Sequence, residues 1–355
     1  MEFAIGENRE MKLAIELGRP DPTNLSINVE WVQLAERLGV DMAFSAEAWW
    51  SDAVTPLAYL ADKTERIKLA TGIMQVTART PPMTAMTALT LHDLTGGRFV
   101  LGLGASGPQV VEGLHGVRYK MPLTRLRETV EICRMIFAGE KVRYDGKIFQ
   151  LPLPDSEGKA IGIQHEPATL PIYLATLGPN ALKYTGASAN GWLGTSFSPD
   201  HPQAHLDYLK AGVDEAGRRF SDIDLCVSVR VEIGDDVEAM IERRKHGVAF
   251  NMGGMGSAST NFYNDAFKRA GYEDDARAIQ SLWLNGKRDE AAQRVPDAMV
   301  TKFQALGTRE MVTERLAKYK DVGVTTLKLG LDSAGPIGPK RFELLENIAD
   351  LVSRL

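Results

Sequence analysis

Phe99-Val100-Leu101-Gly102-Leu103-Gly104-Ala105-Ser106-Gly107-Pro108 is an apolar, strand-forming run that ends in glycines spaced G-x-G-x-x-G. That spacing marks a dinucleotide-binding turn only where a helix begins at the last glycine, so that free N–H groups and the helix dipole meet a pyrophosphate. Here Pro108 follows at once, and Gly113 and Gly116 interrupt any helix beyond it. The run also comes long after the first β-α unit, whereas a Rossmann turn closes that first unit. The loop therefore belongs to a different fold.

Outward from it, short β-branched or apolar runs alternate with longer stretches of helical period, which implies a parallel sheet. Before it lie strands Lys12 to Leu17, Met42 to Ala46 and Lys68 to Met74, each followed by a helix. The third of these helices opens at Thr80-Pro81-Pro82 and stops at Gly96-Gly97, with Met83, Ala85, Met86, Leu89 and Leu94 on its expected inner side. After it come a helix at Leu123 to Ala138 and strands Ile172 to Leu174, Trp192 to Thr195, Leu225 to Val231 and Thr325 to Leu331. Eight strands, each feeding a helix, predict an α/β fold, a (β/α)8 TIM-type barrel, with an open doubly wound sheet as the alternative. Two stretches break the rhythm and are expected to be inserts. Residues 139–170 follow the fourth helix and hold a hairpin around Asp145-Gly146, and residues 235–300 follow the seventh strand and are mostly helical. No linker is visible, so residues 11–355 are expected to form one domain behind an N-terminal extension, residues 1–10.

The 355 residues are 44% hydrophobic and 25% charged, enough to bury a large core. Net charge is 41 − 46 = −5 with both signs interspersed, which favours neither nucleic acid nor a membrane surface. Two cysteines, Cys133 and Cys226, sit in apolar segments and suit a reducing cytoplasm. No apolar run reaches the roughly 18 residues of a membrane span.

In a parallel barrel chemistry gathers where the strands end. That rule selects Glu16, Glu47 with Trp49 and Trp50, the segment Gly72 to Gln75, Gly104 to Gln109, Thr176 to Asn180, Thr195 to Phe197 and Gly330 to Asp332. Glu16 interrupts an apolar strand, so it needs a polar partner, a ligand or a raised pKa; an ion pair with a lysine or arginine is the simplest outcome. Glu47 is equally consistent with a solvated carboxylate. The glycine loops either admit a bulky ligand or only make turns. His201 and His205, four apart on a helix, lack a third metal ligand and are expected on a solvated face, and Ser106 lacks the second glycine of G-x-S-x-G.

The runs Met11-Lys-Leu-Ala-Ile-Glu16-Leu, Ile67-Lys-Leu-Ala-Thr-Gly72-Ile73, Leu94-Thr-Gly-Gly-Arg98-Phe-Val-Leu-Gly-Leu-Gly104, Pro171-Ile-Tyr-Leu-Ala-Thr-Leu-Gly-Pro179 and Gly191-Trp192 resemble the bacterial luciferase-like superfamily. Within it the chain is similar to oxidoreductases dependent on the deazaflavin coenzyme F420, methylenetetrahydromethanopterin reductase among them. The resemblance implies a homodimeric barrel that moves a hydride between C5 of the deazaflavin and a small-molecule substrate. It implies a non-proline cis peptide at Gly72-Ile73 behind the ring, and cofactor contacts from Glu47, Thr71, Gly72, Ile73, Ala105, Ser106, Gly107, Leu177, Gly178, Pro179 and Asn180. Glu16 and Glu47 are the implied catalytic carboxylates; Trp49, Trp50, Met74 and Phe197 would wall the ring, with 235–300 as a lid. Two departures stand out: Ala48 replaces a histidine of several relatives, and Gly107-Pro108-Gln109 replaces an aspartate of the reductase. The alternative within the superfamily is an FMN-dependent monooxygenase acting with oxygen.

Overall fold

A computed structural model describes residues 10–19, 23–24, 26–47 and 49–355, with Ile27 described by its backbone alone. The extension expected at 1–10, Glu10 apart, and Ala48 lie outside the described residues. The strands are β1 (Lys12–Glu16), β2 (Met42–Ser45), β3 (Lys68–Thr71), β4 (Met74–Gln75), β5 (Phe99–Gly104), β6 (Tyr144–Asp145), β7 (Gln150–Leu151), β8 (Ile172–Ala175), β9 (Gly191–Gly194), β10 (Asp224–Ile233), β11 (Ala305–Gly307) and β12 (Thr326–Gly330). The fold is the (β/α)8 barrel, with β3 and β4 as two parts of its third strand and both inserts where they were expected.

Contacts gather into two compact units. In the unit whose described residues are 10–16, 23–24, 26–41 and 176–355, β12 pairs in parallel with β1 and with β10, and β10 pairs with β9. Side chains alternate across a strand, so Leu13, Ile15, Val227, Val229, Leu327 and Leu329 share one face and are all buried. No sequence pattern announces β11, which adds to the far end of β10 at Val231↔Ala305. Three residues are too few to display a period.

The 235–300 insert has its own apolar cluster, with Met240, Met252, Phe267, Ile279 and Met299 at its centre. Its first helix, Val237–Gly253, ends at the glycine pair Gly253-Gly254. A Cβ on Gly253 would stand 2.3 Å from the Trp283 side chain, so that glycine is required by packing. Buried Asn264 ties the insert together, donating to the carbonyls of Met252 at 3.1 Å and Ala276 at 2.8 Å.

The second unit, whose described residues are 17–19, 42–47 and 49–175, holds β2, β3, β5 and β8 in parallel order. Every residue of β5 is buried, as expected of a strand covered on both faces. The helix Pro81–Leu94 buries Ala85, Ala88, Leu89 and Leu91, whereas Met83 and Leu94 face outward with about half of their surface exposed (48% and 54%). The expected inner stripe was thus rotated, because the small residues Ala85 and Ala88 let the helix approach closely.

In the first insert β6 and β7 pair antiparallel, Tyr144↔Leu151 and Asp145↔Gln150. Its turn is held by a residue that sequence patterning did not flag. The buried Glu128 carboxylate, on the helix Pro122–Phe137, accepts N–H bonds from Lys147 (2.7 Å), Ile148 (3.0 Å) and Phe149 (2.9 Å). Glu128→Ala leaves these donors without an acceptor and is expected to cost about 3 kcal/mol. Glu128→Gln should cost clearly less, and equal melting temperatures for wild type and the alanine variant would contradict the assignment.

Candidate active site at the strand ends

Register alone assembles a charged cluster in the first unit. Lys328 stands opposite Ala14 of β1 and Ser228 of β10, and Gly330 stands opposite Arg230. With a period of two, Glu16, Lys328 and Arg230 therefore share the face opposite the buried Leu/Ile/Val face. Lys328 Nζ lies 2.9 Å from Glu16 Oε1, the ion pair that was the simpler expectation for this carboxylate. Gly330 supplies room for its neighbour: a Cβ there would meet Arg230 Cγ at 3.2 Å. Arg230 continues the network to Asp332, which also binds Arg244 (3.0 Å), and Arg244 in turn binds Glu232 (3.1 Å).

Glu16 lies in a pit. Water reaches 54% of its side chain, yet protein surrounds it, and only 14% of Lys328 is exposed. The Lys328 charge holds the Glu16 carboxyl below its ordinary value of 4.5, outweighing the opposing effect of burial. Burial pulls Lys328 down, but the charge and hydrogen bond of Glu16 leave it above its ordinary 10.5. Glu16 is thus an ionised acceptor near neutral pH.

The second unit brings Glu47, Thr71, Gly72 and Ile73 together around a bulge. The Gly72–Ile73 peptide is cis. It interrupts the ladder between the third strand and β5, which runs through Ala70↔Val100 and resumes at Met74↔Leu103. In the gap, Thr71 Oγ1 lies 2.8 Å from both the N and the O of Gly102 and satisfies backbone groups that the ladder leaves open. Glu47 N–H donates to the Ile73 carbonyl (3.1 Å), and Gln75 Nε2 donates to the Glu47 carbonyl (3.0 Å). The Glu47 carboxylate is not solvated. Only 8% of its side chain is exposed, and Arg79 Nη1 bonds both of its oxygens at 2.8 and 2.7 Å.

Two glycines near the bulge make room for protein. A Cβ on Gly104 would meet Ile73 Cδ1 at 2.7 Å, and one on Gly72 would meet Phe44 Cδ1 at 2.7 Å. Ala105, Ser106 and Gly107 follow β5 and are half-buried, with Ser106 left-handed at φ 57°. A helix does begin at the last glycine, with Gly107 as its cap and Pro108 at its first position, where a missing N–H costs nothing, but it spans only Pro108–Val111 and stops before Gly113. In the first unit, Gly178 and Pro179 begin the helix Pro179–Ser188; Pro179 and Asn180 are exposed, and the Leu177 carbonyl accepts from Arg269 at 2.6 Å.

Several expected contributors lie elsewhere. Met74 and Phe197 are buried core, Phe197 against Trp192, His205 and Tyr319, so neither offers a wall to a ligand. Trp49 and Trp50 are exposed, 55% and 42%, and stack edge to face. His205 is not on a solvated face: it is buried against Trp192, and burial drives its pKa down to about 3. Among the described residues no cluster of three metal-ligating side chains occurs, and no helix is long and apolar enough to cross a membrane.

The Luciferase-like monooxygenase family matches residues 3–326. The chain belongs to that family. A Mycobacterium tuberculosis protein named a coenzyme F420-dependent oxidoreductase is 38% identical over 333 residues, 91% of this chain and 96% of its own length. The 5,10-methylenetetrahydromethanopterin reductase of Archaeoglobus fulgidus is 29% identical over 90% of this chain and 92% of its own. Among solved structures, the coenzyme F420-dependent tetrahydromethanopterin reductase of Methanopyrus kandleri superposes with a TM-score of 0.75 at 26% identity, covering 97% of this chain and 99% of that one.

Two substitutions test these ion pairs. Lys328→Met should raise the Glu16 carboxyl pKa, read by carboxyl infrared or NMR titration; an unchanged value would contradict the pairing. A carboxyl whose folded pKa is depressed contributes stability in full above its unfolded value, and loses it as pH falls through the folded one. The melting temperature of the variant should therefore fall less than that of wild type on acidification through that window. Arg79→Met strands the Glu47 carboxylate in its buried position and is expected to cost about 3 kcal/mol in denaturant unfolding. A cost no larger than that of an exposed arginine would contradict it.

Proposed function

We propose that this protein is an F420-dependent oxidoreductase that transfers a hydride between C5 of the deazaflavin and a small organic substrate. The carrying observation is the end-to-end match to relatives named for F420, 91% of this chain at 38% identity. The residues present fit a planar heterocycle. Ile73, half-buried on the bulge, offers an apolar surface, and just beyond it the buried Gln75 Oε1 has no partner among the described residues. A ring with an N–H at its edge would satisfy that orphaned acceptor. Ile73, Gln75 and the Ala105–Gly107 loop of the second unit would hold the coenzyme. Thr71 and Glu47 would support the bulge from behind.

When bound, F420 accepts or donates two electrons as a hydride at a ring carbon. The chain supplies proton management. Glu16, ionised and open to solvent over half of its side chain, would take the proton of a substrate hydroxyl as hydride leaves, and would return it in the reverse direction. Lys328 keeps this carboxylate charged and fixed in position. Glu47, committed to Arg79, has no such freedom. We further propose a single-domain homodimer of the cytoplasm.

Titration with F420 and with FMN, followed by fluorescence and calorimetry, separates the proposal from an oxygen-dependent flavin enzyme. F420 should bind and FMN should not; tight FMN binding with no F420 binding would overturn it. Glu16→Gln should lower kcat with any accepted substrate about 10²-fold or more while leaving F420 affinity unchanged. An unaltered kcat would remove Glu16 from proton transfer.

A further inference from the structure

Within the first unit, the helix Phe262–Arg269 of the 235–300 insert is fastened at both of its ends. At its start, Asn261 accepts the Asn264 N–H at 3.0 Å and donates to the Met252 carbonyl at 2.8 Å. The Phe262 ring packs over Gly178, where a Cβ would stand 3.7 Å from it. At its finish, Arg269 donates to the carbonyls of Ala204 (3.1 Å) and Leu177 (2.6 Å). Tyr263 lies in the first turn of this fixed helix, close enough to the pit that it and Lys328 of β12 act on each other's ionisation. Burial holds the Tyr263 hydroxyl above its ordinary value of 10, outweighing the pull of Lys328, so the phenol keeps its proton near neutral pH. Tyr263 is half-buried, and among the described residues nothing hydrogen-bonds its hydroxyl. The strands supply the other polar groups: half-buried Ser228 stands opposite Lys328 in the β10–β12 register, on the face that carries Glu16 and Arg230. A carboxylate that accepts and a neutral phenol that donates thus act on one ammonium. The carboxylate has its partner in Lys328, whereas the phenolic O–H still needs an acceptor.

We propose that Tyr263 donates a hydrogen bond to the oxygen on the reacting carbon of the substrate, an alcohol in one direction and an aldehyde or ketone in the other. The assignment rests on the hydride-transfer reading above, with Glu16 as proton acceptor. As an alcohol reacts, its carbon gives up hydrogen with the bonding pair to C5 of the deazaflavin, its O–H proton passes to Glu16, and the C–O bond becomes a carbonyl. Tyr263 keeps its own proton throughout. Negative charge develops on the substrate oxygen as its proton leaves, and a fixed donor stabilises that charge. Proton transfer and oxygen recognition are thereby divided between a barrel strand and the insert, which makes the insert a determinant of substrate choice.

Tyr263→Phe removes the hydroxyl alone. Reduction of F420 is followed with a panel of primary and secondary alcohols, and oxidation of reduced F420 with the matching aldehydes and ketones, in wild type and the variant. The variant should lose about 10²-fold in kcat with little change in KM, F420 affinity or melting temperature. The acid limb of its pH profile should stay where the wild-type limb lies, because Glu16 is untouched. An unaltered kcat, or a fall in melting temperature that accounts for the loss, would overturn the assignment. So would a wild type that binds F420 yet turns over no member of the panel. A second measurement needs neither coenzyme nor substrate: the ionisation of Tyr263, isolated as the difference in phenolate absorbance made by Tyr263→Phe, is compared with and without Lys328→Met. Removing the ammonium should move the Tyr263 midpoint to higher pH, and an unmoved midpoint would overturn this role alone. A wild type that binds no F420 overturns the hydride-transfer reading and this role with it.

Discussion

Side chains alternate across a parallel strand, and the charged site depends on that constraint more than on any single contact. Once β1, β10 and β12 are in register, burying Leu13, Val227 and Leu327 on one face commits Glu16, Arg230 and Lys328 to the other. Opposite charges on adjacent strands then neutralise what would be a costly set of ions in a pit. Lys328 is the centre of this arrangement, because it is the least exposed member of its pair and sets the charge state of Glu16. A slip of one residue in β12 would bury the lysine and expose the leucines.

The second unit solves a different problem, the gap that a bulge opens in a sheet. Thr71 fills the gap with a hydroxyl, Glu47 grips the bulge through its backbone, and Arg79 neutralises Glu47. Gly72 and Gly104 are small so that Phe44 and Ile73 can sit where side chains would otherwise be. The surface left for a ligand is therefore made by Ile73, with the glycines behind it. On the proposed reading the second unit offers a surface for the ring, and the first a carboxylate able to hold a proton.

How much of this the sequence discloses follows from distance along the chain. Strand and helix alternation is local, and the eight barrel strands and both inserts were legible from runs such as Phe99–Gly104 and the glycines around them, whereas the location of the bulge followed only from the family resemblance. The need of Glu16 for a partner was legible too, since an acid inside an apolar strand demands one. Which residue answers was not: Lys328 lies at the other end of the chain, and only the β1–β12 register joins them. The same limit explains Glu47, whose burial depends on Arg79, and Phe197 and His205, whose polar or strand-end setting conceals an aromatic cluster around Trp192. Glu128 and the short strand β11 carry no periodic signal at all.

A crystal structure of the protein with F420 bound tests the division between ring surface and charge most directly. The deazaflavin should lie against Gly72–Ile73 with an edge donor on Gln75 Oε1. A ring bound away from the bulge, with Gln75 Oε1 still without a partner, would contradict it.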